Sequence, residues 1–183
     1  MSVCVWERVP CVCVGYPQEA KFFKSLKFAH ALPSLPSFPL SPIKMQPGET
    51  VCVTGASGYI ASELIRVLLS RGLKVNGTVR STKKASHLFT LPGATESLTL
   101  FEADLMGDAS AFTPAITGCR VVFHTACPFV YSGRASSLDE SYFVSPAVKG
   151  TESVLSVCAA VGGVERVVMT SSCAAIFKRL VPV

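Results

Sequence analysis

The rhythm of apolar and polar positions changes at residue 50. From there to residue 170, short apolar runs alternate with stretches whose apolar residues recur at helical spacing. Residues 51–54 (Val-Cys-Val-Thr) lack polar alternation, which predicts a strand buried on both faces, as in a parallel sheet. Ala61, Leu64, Ile65 and Leu68 follow at i, i+3, i+4 and i+7, one face of a helix. Gly72 suits the left-handed end of that helix. Further strands are predicted over residues 74–79, 97–101, 120–124 and 165–170. Between them lie short helices near 87–91 and 108–116. A longer helix over 146–160 offers Val148, Val154, Leu155 and Cys158 to the core. Strands alternating with helices imply an α/β fold, a doubly wound parallel sheet with right-handed crossovers. The expected strand order is 3-2-1-4-5, with a ligand at the carboxyl ends of strands 1 and 4, where the winding reverses.

Residues 1–44 have another texture. Pro33, Pro36, Pro39 and Pro42 recur every third residue among serines and leucines, a pattern that resists both helix and strand. Residues 1–47 are therefore expected to be an unstructured or targeting-like Pro/Ser-rich extension, and residues 48–183 the folded domain. Residues 20–32 read as a short basic amphipathic helix, which fits an organelle-targeting leader. The plainer reading, an extension outside the folded unit with Met45 just upstream of the first strand, is preferred.

Composition narrows the function classes. With 49% hydrophobic and 16% charged residues, the 183-residue chain has material for one core and is not a disordered polymer. Of the net charge of +5, residues 1–44 carry +3, and no lysine/arginine stripe marks the remainder, so nucleic acid is not an expected partner. No apolar stretch approaches the ~18–20 residues that span a bilayer. Eight cysteines are present without a C-x-x-C pair. Cys52, Cys119, Cys158 and Cys173 sit in or beside apolar runs, where cysteine acts as a small hydrophobe. Structural thiols in a reducing compartment, the cytoplasm, are expected, with no metal site.

The candidate chemistry begins at Gly55-x-x-Gly58-x-x-Ala61. Gly55 permits a sharp turn out of the strand, Gly58 lets backbone approach a phosphate, and Ala61 is small enough for close helix–strand packing. Tyr59 and Ile60 open the helix at that loop and join the candidate cofactor set. A strand, a glycine-rich turn and an amphipathic helix in that order place a pyrophosphate on a helix N-terminus, which points to a Rossmann-type NAD(P)-binding domain. Arg80 lies 25 positions beyond Gly55, at the end of the second strand. An acid there would take the ribose 2′-hydroxyl of NAD. Arginine instead offers a donor fork to the 2′-phosphate of NADP, with Lys83 and Lys84 adding positive charge. NADP (NADPH) is therefore the expected cofactor. His124 ends an apolar strand, which favours a packed histidine over a general base.

The motifs VCVTGASGYIAS, GTVR, EADL, VFHTACP, PAVKGT and RVVMTSS occur in this order. Together they resemble the extended short-chain dehydrogenase/reductase family, nearest to its dihydroflavonol reductase and cinnamoyl-CoA reductase-like branch, over residues 51–175. The resemblance implies that Asp104 and Leu105 lie beside the adenine, with the carboxylate accepting from its exocyclic amine. It implies that Thr125, Ala126 and Cys127 run along the ribose and nicotinamide, Cys127 standing where relatives often have serine. Of Ser171 and Ser172 at the fifth strand's end, Ser172 would orient the substrate carbonyl as a catalytic residue. Ser153 stands where relatives commonly have asparagine, and Glu152 where an apolar residue is usual.

The resemblance also implies a tyrosine proton donor with a lysine four positions later, beyond Ser172. This sequence contains no Tyr-x-x-x-Lys: Tyr131 is followed at that spacing by Ala135 and Tyr142 by Pro146. The expectation is accordingly the NADP(H)-binding portion of a carbonyl reductase, truncated before its substrate lobe and inactive in this form, acting with its small-molecule substrate only in a longer relative. An NAD(P)-dependent sugar-nucleotide epimerase or dehydratase shares this half, though Arg80 and the HTACP turn argue against it. A non-catalytic NADP-binding sensor is the alternative from another class.

Overall fold

A computed structural model of the chain describes residues 2–7, 9–14, 43–127 and 141–171. The strands are β1 (Ser2–Glu7), β2 (Val9–Val14), β3 (Thr50–Thr54), β4 (Lys74–Val79), β5 (Leu98–Glu102), β6 (Val121–His124) and β7 (Arg166–Ser171). They form one sheet in the order β2-β1-β7-β6-β3-β4-β5. The pairings β3–β4, β4–β5, β3–β6 and β6–β7 are all parallel. The five strands from β3 onward thus adopt the expected 3-2-1-4-5 order of a Rossmann-type fold.

The helices are α1 (Tyr59–Ser70), the single turns α2 (Ala94–Ser97) and α3 (Thr113–Ile116), and α4 (Ser141–Val161). Thr82–Thr90 and Ala109–Phe112 are 3₁₀ segments. Period-2 geometry sends alternate strand residues to opposite faces. Val51 and Val53 join Ala61, Ile65 and Leu68 of α1, whereas Cys52 joins Phe112, Ile116, Val154 and Cys158 beneath α3 and α4. The central parallel strands are thereby covered on both sides, which explains why they read as continuous apolar runs. Burial pushes the thiols of Cys119 and Cys158 up to about 11 and that of Cys52 well above its ordinary value. They are protonated core residues, as expected; Cys173 lies outside the described residues.

Two expectations need correction. Residues 2–14, placed in an unstructured extension, form two strands instead. β1 pairs antiparallel with β7 from Ser2↔Ser171 to Glu7↔Arg166, and β2 pairs with β1. The prolines that suggested disorder begin at residue 33, whereas this stretch is rich in β-branched valine. Its one proline, Pro10, falls on the outermost strand, where a missing N–H breaks no inner ladder. Val148, offered to the core, is 48% exposed. The face of α4 that meets the protein runs through Gly150, Val154, Val157 and Cys158 instead. Glu152 points outward, so an acid there meets water. The proline-rich segment and residues 20–32 lie outside the described residues.

At the amino ends of the central strands one side chain ties three elements. Arg120 donates Nη1 to Glu49 at 2.5 Å, and its Nε and Nη2 to the two oxygens of Glu165 at 2.8 and 2.9 Å. These pairs align β3, β6 and β7 at the end opposite the site. Both partners hold the guanidinium charge, raising its pKa.

Candidate functional site

The carboxyl ends of β3, β4 and β6 open into a crevice of about 470 Å³. Its lining includes Gly55, Gly58, Arg80, Asp104, Leu105, Thr125, Ala126 and Cys127, eight of the residues singled out from sequence. Ser57, Thr78, Val79, Ala103, Met106 and Phe112 complete it. Tyr59, Ile60, Lys84 and Ser171 are not part of that lining. Tyr59 is 94% exposed on the first turn of α1, Ile60 is also exposed beside it, and Lys84 is exposed on the 3₁₀ segment. Ser171 ends β7 half-buried, and Ser172 lies outside the described residues.

The loop between β3 and α1 is shaped by its glycines. Gly55 has φ +67°, a left-handed conformation that side chains rarely adopt. A Cβ there would stand 3.0 Å from both Cα and Cβ of Ala126, so the loop and the turn after β6 touch through the missing side chain. A Cβ on Gly58 would stand 3.2 Å from the Gly55 carbonyl oxygen. The Ala56 N–H donates to the Thr78 carbonyl at 2.8 Å and the Gly58 N–H to that of Gly55 at 2.9 Å, fixing the loop against β4. Gly58 is also the N-cap of α1 and brings no capping side chain, and the first turn holds no acid. The positive end of a 12-residue helix therefore meets the crevice without an anion of its own, a cradle suited to a phosphate.

Arg80 follows β4 directly and is exposed at the rim. The corner beyond it is pinned by Glu102, a residue the sequence did not mark. Its Oε1 accepts from the Thr82 N–H at 2.8 Å and the Thr82 hydroxyl at 2.9 Å. These bonds, with Lys83 nearby, hold the Glu102 carboxyl below the usual carboxylate range. The signal was available in the topology: parallel register sets Glu102 beside Val79, so the ends of β4 and β5 meet. Asp104 lies on the crevice wall, where its Oδ1 accepts from the Met106 N–H at 3.0 Å and shapes the turn. α4 backs this wall closely, since a Cβ on Gly150 would stand 3.0 Å from that of Leu105.

On the β6 side, His124 is buried and its Nδ1 lies 2.9 Å from the Thr54 hydroxyl. Burial lowers its pKa to about 4, so it is neutral near pH 7. It is not in the crevice lining, in line with a packed histidine. Among the described residues, no cluster of histidine, cysteine and acid side chains could hold a metal ion. No helix among them is long and apolar enough to cross a membrane.

Residues 51–178 match the NAD dependent epimerase/dehydratase family. The chain is 48% identical over 132 residues to cinnamoyl-CoA reductase CAD2 of Medicago truncatula, covering 70% of this chain and 39% of that protein. It is 45% identical over 132 residues to dihydroflavonol 4-reductase of Dianthus caryophyllus, covering 70% and 35%. Among solved structures, yeast methylglyoxal/isovaleraldehyde reductase Gre2 complexed with NADPH aligns at TM-score 0.62 and 32% identity, covering 70% of this chain and 39% of that one. The chain thus spans about two fifths of the length of these relatives. It belongs to the NAD dependent epimerase/dehydratase family.

Proposed function

We propose that this chain is the NADP(H)-binding portion of an oxidoreductase that reduces a small-molecule carbonyl to an alcohol. The observation that carries the reading is the convergence of eight candidate residues on one crevice, beside an uncapped helix N-terminus. In this reading the loop that Gly55 and Gly58 shape seats the pyrophosphate, and the first-turn amides at Tyr59 and Ile60 donate to it. Asp104 and Leu105 take the adenine, and the Thr125–Ala126–Cys127 turn flanks the ribose and nicotinamide. Arg80, with Lys84 contributing charge from further out, takes the 2′-phosphate. A bound nicotinamide supplies the hydride. Ser172 orients the substrate carbonyl.

The carbonyl substrate class is proposed from the names of the cinnamoyl-CoA and dihydroflavonol reductases that resemble this chain. The cofactor preference rests on Arg80 and on the likeness to an NADPH complex. The sequence holds no Tyr-x-x-x-Lys, so binding without turnover is the expectation for the chain as given, which leaves a sensor as the second reading. Calorimetry with NADPH and NADH tests the first: NADPH is expected to bind more tightly. Arg80→Asp is expected to lower NADPH affinity about tenfold or more, from loss of a charge-assisted bond. Equal affinities, or a preference for NADH, would overturn the NADP assignment. Oxidation of NADPH with an aromatic aldehyde or acyl-CoA ester would make the chain an enzyme in its own right and overturn the sensor.

A further inference from the structure

We propose that His124 is a positioning residue for the cofactor crevice: as a neutral hydrogen-bond acceptor it aligns the Thr54 hydroxyl, and Thr54 in turn holds the backbone turn at Ala126 against the glycine loop. The proposal rests on the cofactor reading above for its functional consequence, though not for its geometry.

Thr54 and His124 are the last residues of β3 and β6 and are direct partners in the parallel register. Thr54 is wholly buried, so each of its polar groups needs a protein partner. Its Oγ1 lies 2.9 Å from His124 Nδ1 and accepts the Ala126 N–H at 3.1 Å. Its carbonyl oxygen accepts the hydroxyl of Thr125. Both polar ends of one residue therefore grip two successive residues of the crevice turn.

The hydroxyl has one proton to place. If Oγ1 donates to a bare Nδ1, the hydroxyl proton and the Ala126 N–H both find partners, and the imidazole carries its proton on Nε2. If Nδ1–H donated instead, Oγ1 would accept twice and its own proton would be stranded in a wholly buried position, the costlier arrangement. Burial keeps the ring neutral, so one of its nitrogens is bare near pH 7, and the wholly buried Thr54 hydroxyl, with a proton to place, selects Nδ1. His124 thereby sets the direction of the hydroxyl and leaves its lone pair for Ala126.

The turn so held is in contact with the phosphate loop. A Cβ on Gly55 would stand 3.0 Å from Cα and Cβ of Ala126, so no side chain fits between the two backbones and the position of Ala126 bounds that of the glycine loop. The burial of His124, which removes it as a general base, is what suits it to this role.

The first test needs only the wild-type chain. Nitrogen chemical shifts of the His124 ring at pH 7 are expected to report the Nε2–H tautomer with Nδ1 accepting; an Nδ1–H tautomer would overturn the proposal. The second compares His124→Leu with His124→Asn, whose amide oxygen can stand near the Nδ1 position. His124→Leu is expected to speed hydrogen exchange at the Ala126 amide and to raise the NADPH Kd about tenfold, while His124→Asn stays within about threefold of wild type. Unchanged exchange and affinity in a folded His124→Leu chain would overturn the role. So would an Asn variant as impaired as Leu while melting like wild type. Should His124→Leu not fold, Thr54→Ser and Thr54→Val decide: serine keeps the bridging hydroxyl and is expected to behave as wild type, and valine is expected to lose it. A valine variant equal to serine in both readouts would overturn the proposal. A wild-type chain that binds no NADPH would overturn the cofactor reading, and Ala126 exchange would then judge the positioning role alone.

Discussion

Replacing Gly77 by alanine separates local propensity from packing at the site. Gly77 lies in the middle of β4, between Val53 of β3 and Leu100 of β5, and is buried. It is not among the positive-φ glycines, so alanine meets no backbone strain there. Propensity alone would favour the change by about 0.5–1 kcal/mol, because glycine loses more entropy than alanine in a strand. Packing opposes it. A Cβ on Gly77 would stand 2.8 Å from Ala56 Cβ and 2.9 Å from Leu100 Cδ2. Carbon contacts settle near ~3.5–4.0 Å, so both neighbours must move. Leu100 can swing the end of a flexible side chain. Ala56 cannot: it is wholly buried and its N–H is tied to the Thr78 carbonyl at 2.8 Å.

Overpacking of a filled core costs about 1–3 kcal/mol, which exceeds the propensity gain, so Gly77→Ala is expected to destabilise by about 1–2 kcal/mol. Because Ala56 belongs to the glycine loop, the same change should weaken NADPH binding. Chemical denaturation and calorimetric titration of Gly77→Ala, Ala56→Gly and the double variant measure both effects. Ala56→Gly removes the rigid half of the clash, so the cycle should give a favourable coupling of about 1 kcal/mol. A Gly77→Ala chain as stable as wild type, or a coupling near zero, would refute the claim that Gly77 is small to seat Ala56.

Three further perturbations address the scaffold. The His124 pKa falls from an ordinary 6.5 to about 4 in the fold, so the unfolded chain binds the extra proton first; stability is full above pH 6.5 and declines toward pH 4, by about 3 kcal/mol from this residue. Denaturation against pH should show a shallower decline in His124→Asn, and an identical one would contradict the neutral buried ring. Arg120→Leu should lower the melting temperature, less so in high salt, by leaving Glu49 and Glu165 without their shared cation. The Glu49 carboxyl is held low by the Gln46 N–H and by Arg120, so that support is present above the usual carboxylate range and lost as the pH falls through its lowered pKa. A variant with the wild-type melting profile would show the cluster to be idle. Removing residues 2–14 should uncover the β7 edge, lower the melting temperature and promote self-association, read by calorimetry and light scattering; a monomer of unchanged stability would refute an edge-sealing role.

What could be read from sequence divides by distance along the chain. The strand β3, the loop at Gly55 and Gly58 and the apolar face of α1 are contiguous, and their spacing alone sufficed. β4 was bounded correctly because a glycine turn and a charged corner delimit it. The β1–β2 hairpin was missed because its strand pattern was outweighed by prolines that begin at residue 33. The core face of α4 was misread at Val148 because its apolar residues exceed one stripe, and only the approach of Gly150 to Leu105 selects the face used.

The site follows the same division. Residues that would touch a dinucleotide come in local motifs, whereas those that hold them in place lie across strands. Glu102 fixes the corner after Arg80 because β5 ends beside β4, and His124 orients Thr54 because β6 ends beside β3. Neither pair has a sequence signature of its own. Both nevertheless follow from one inference that was correct, the 3-2-1-4-5 order. Parallel neighbours bring their carboxyl ends together at the crevice, so a polar residue ending one strand is an expected partner for the end of the next. Applied to the termini Thr54, Val79, Glu102 and His124, that rule selects the two supporting residues by topology alone. It also explains why His124 misleads when read along the chain: its neighbours in sequence are apolar strand residues, and its partner in the fold is 70 positions away.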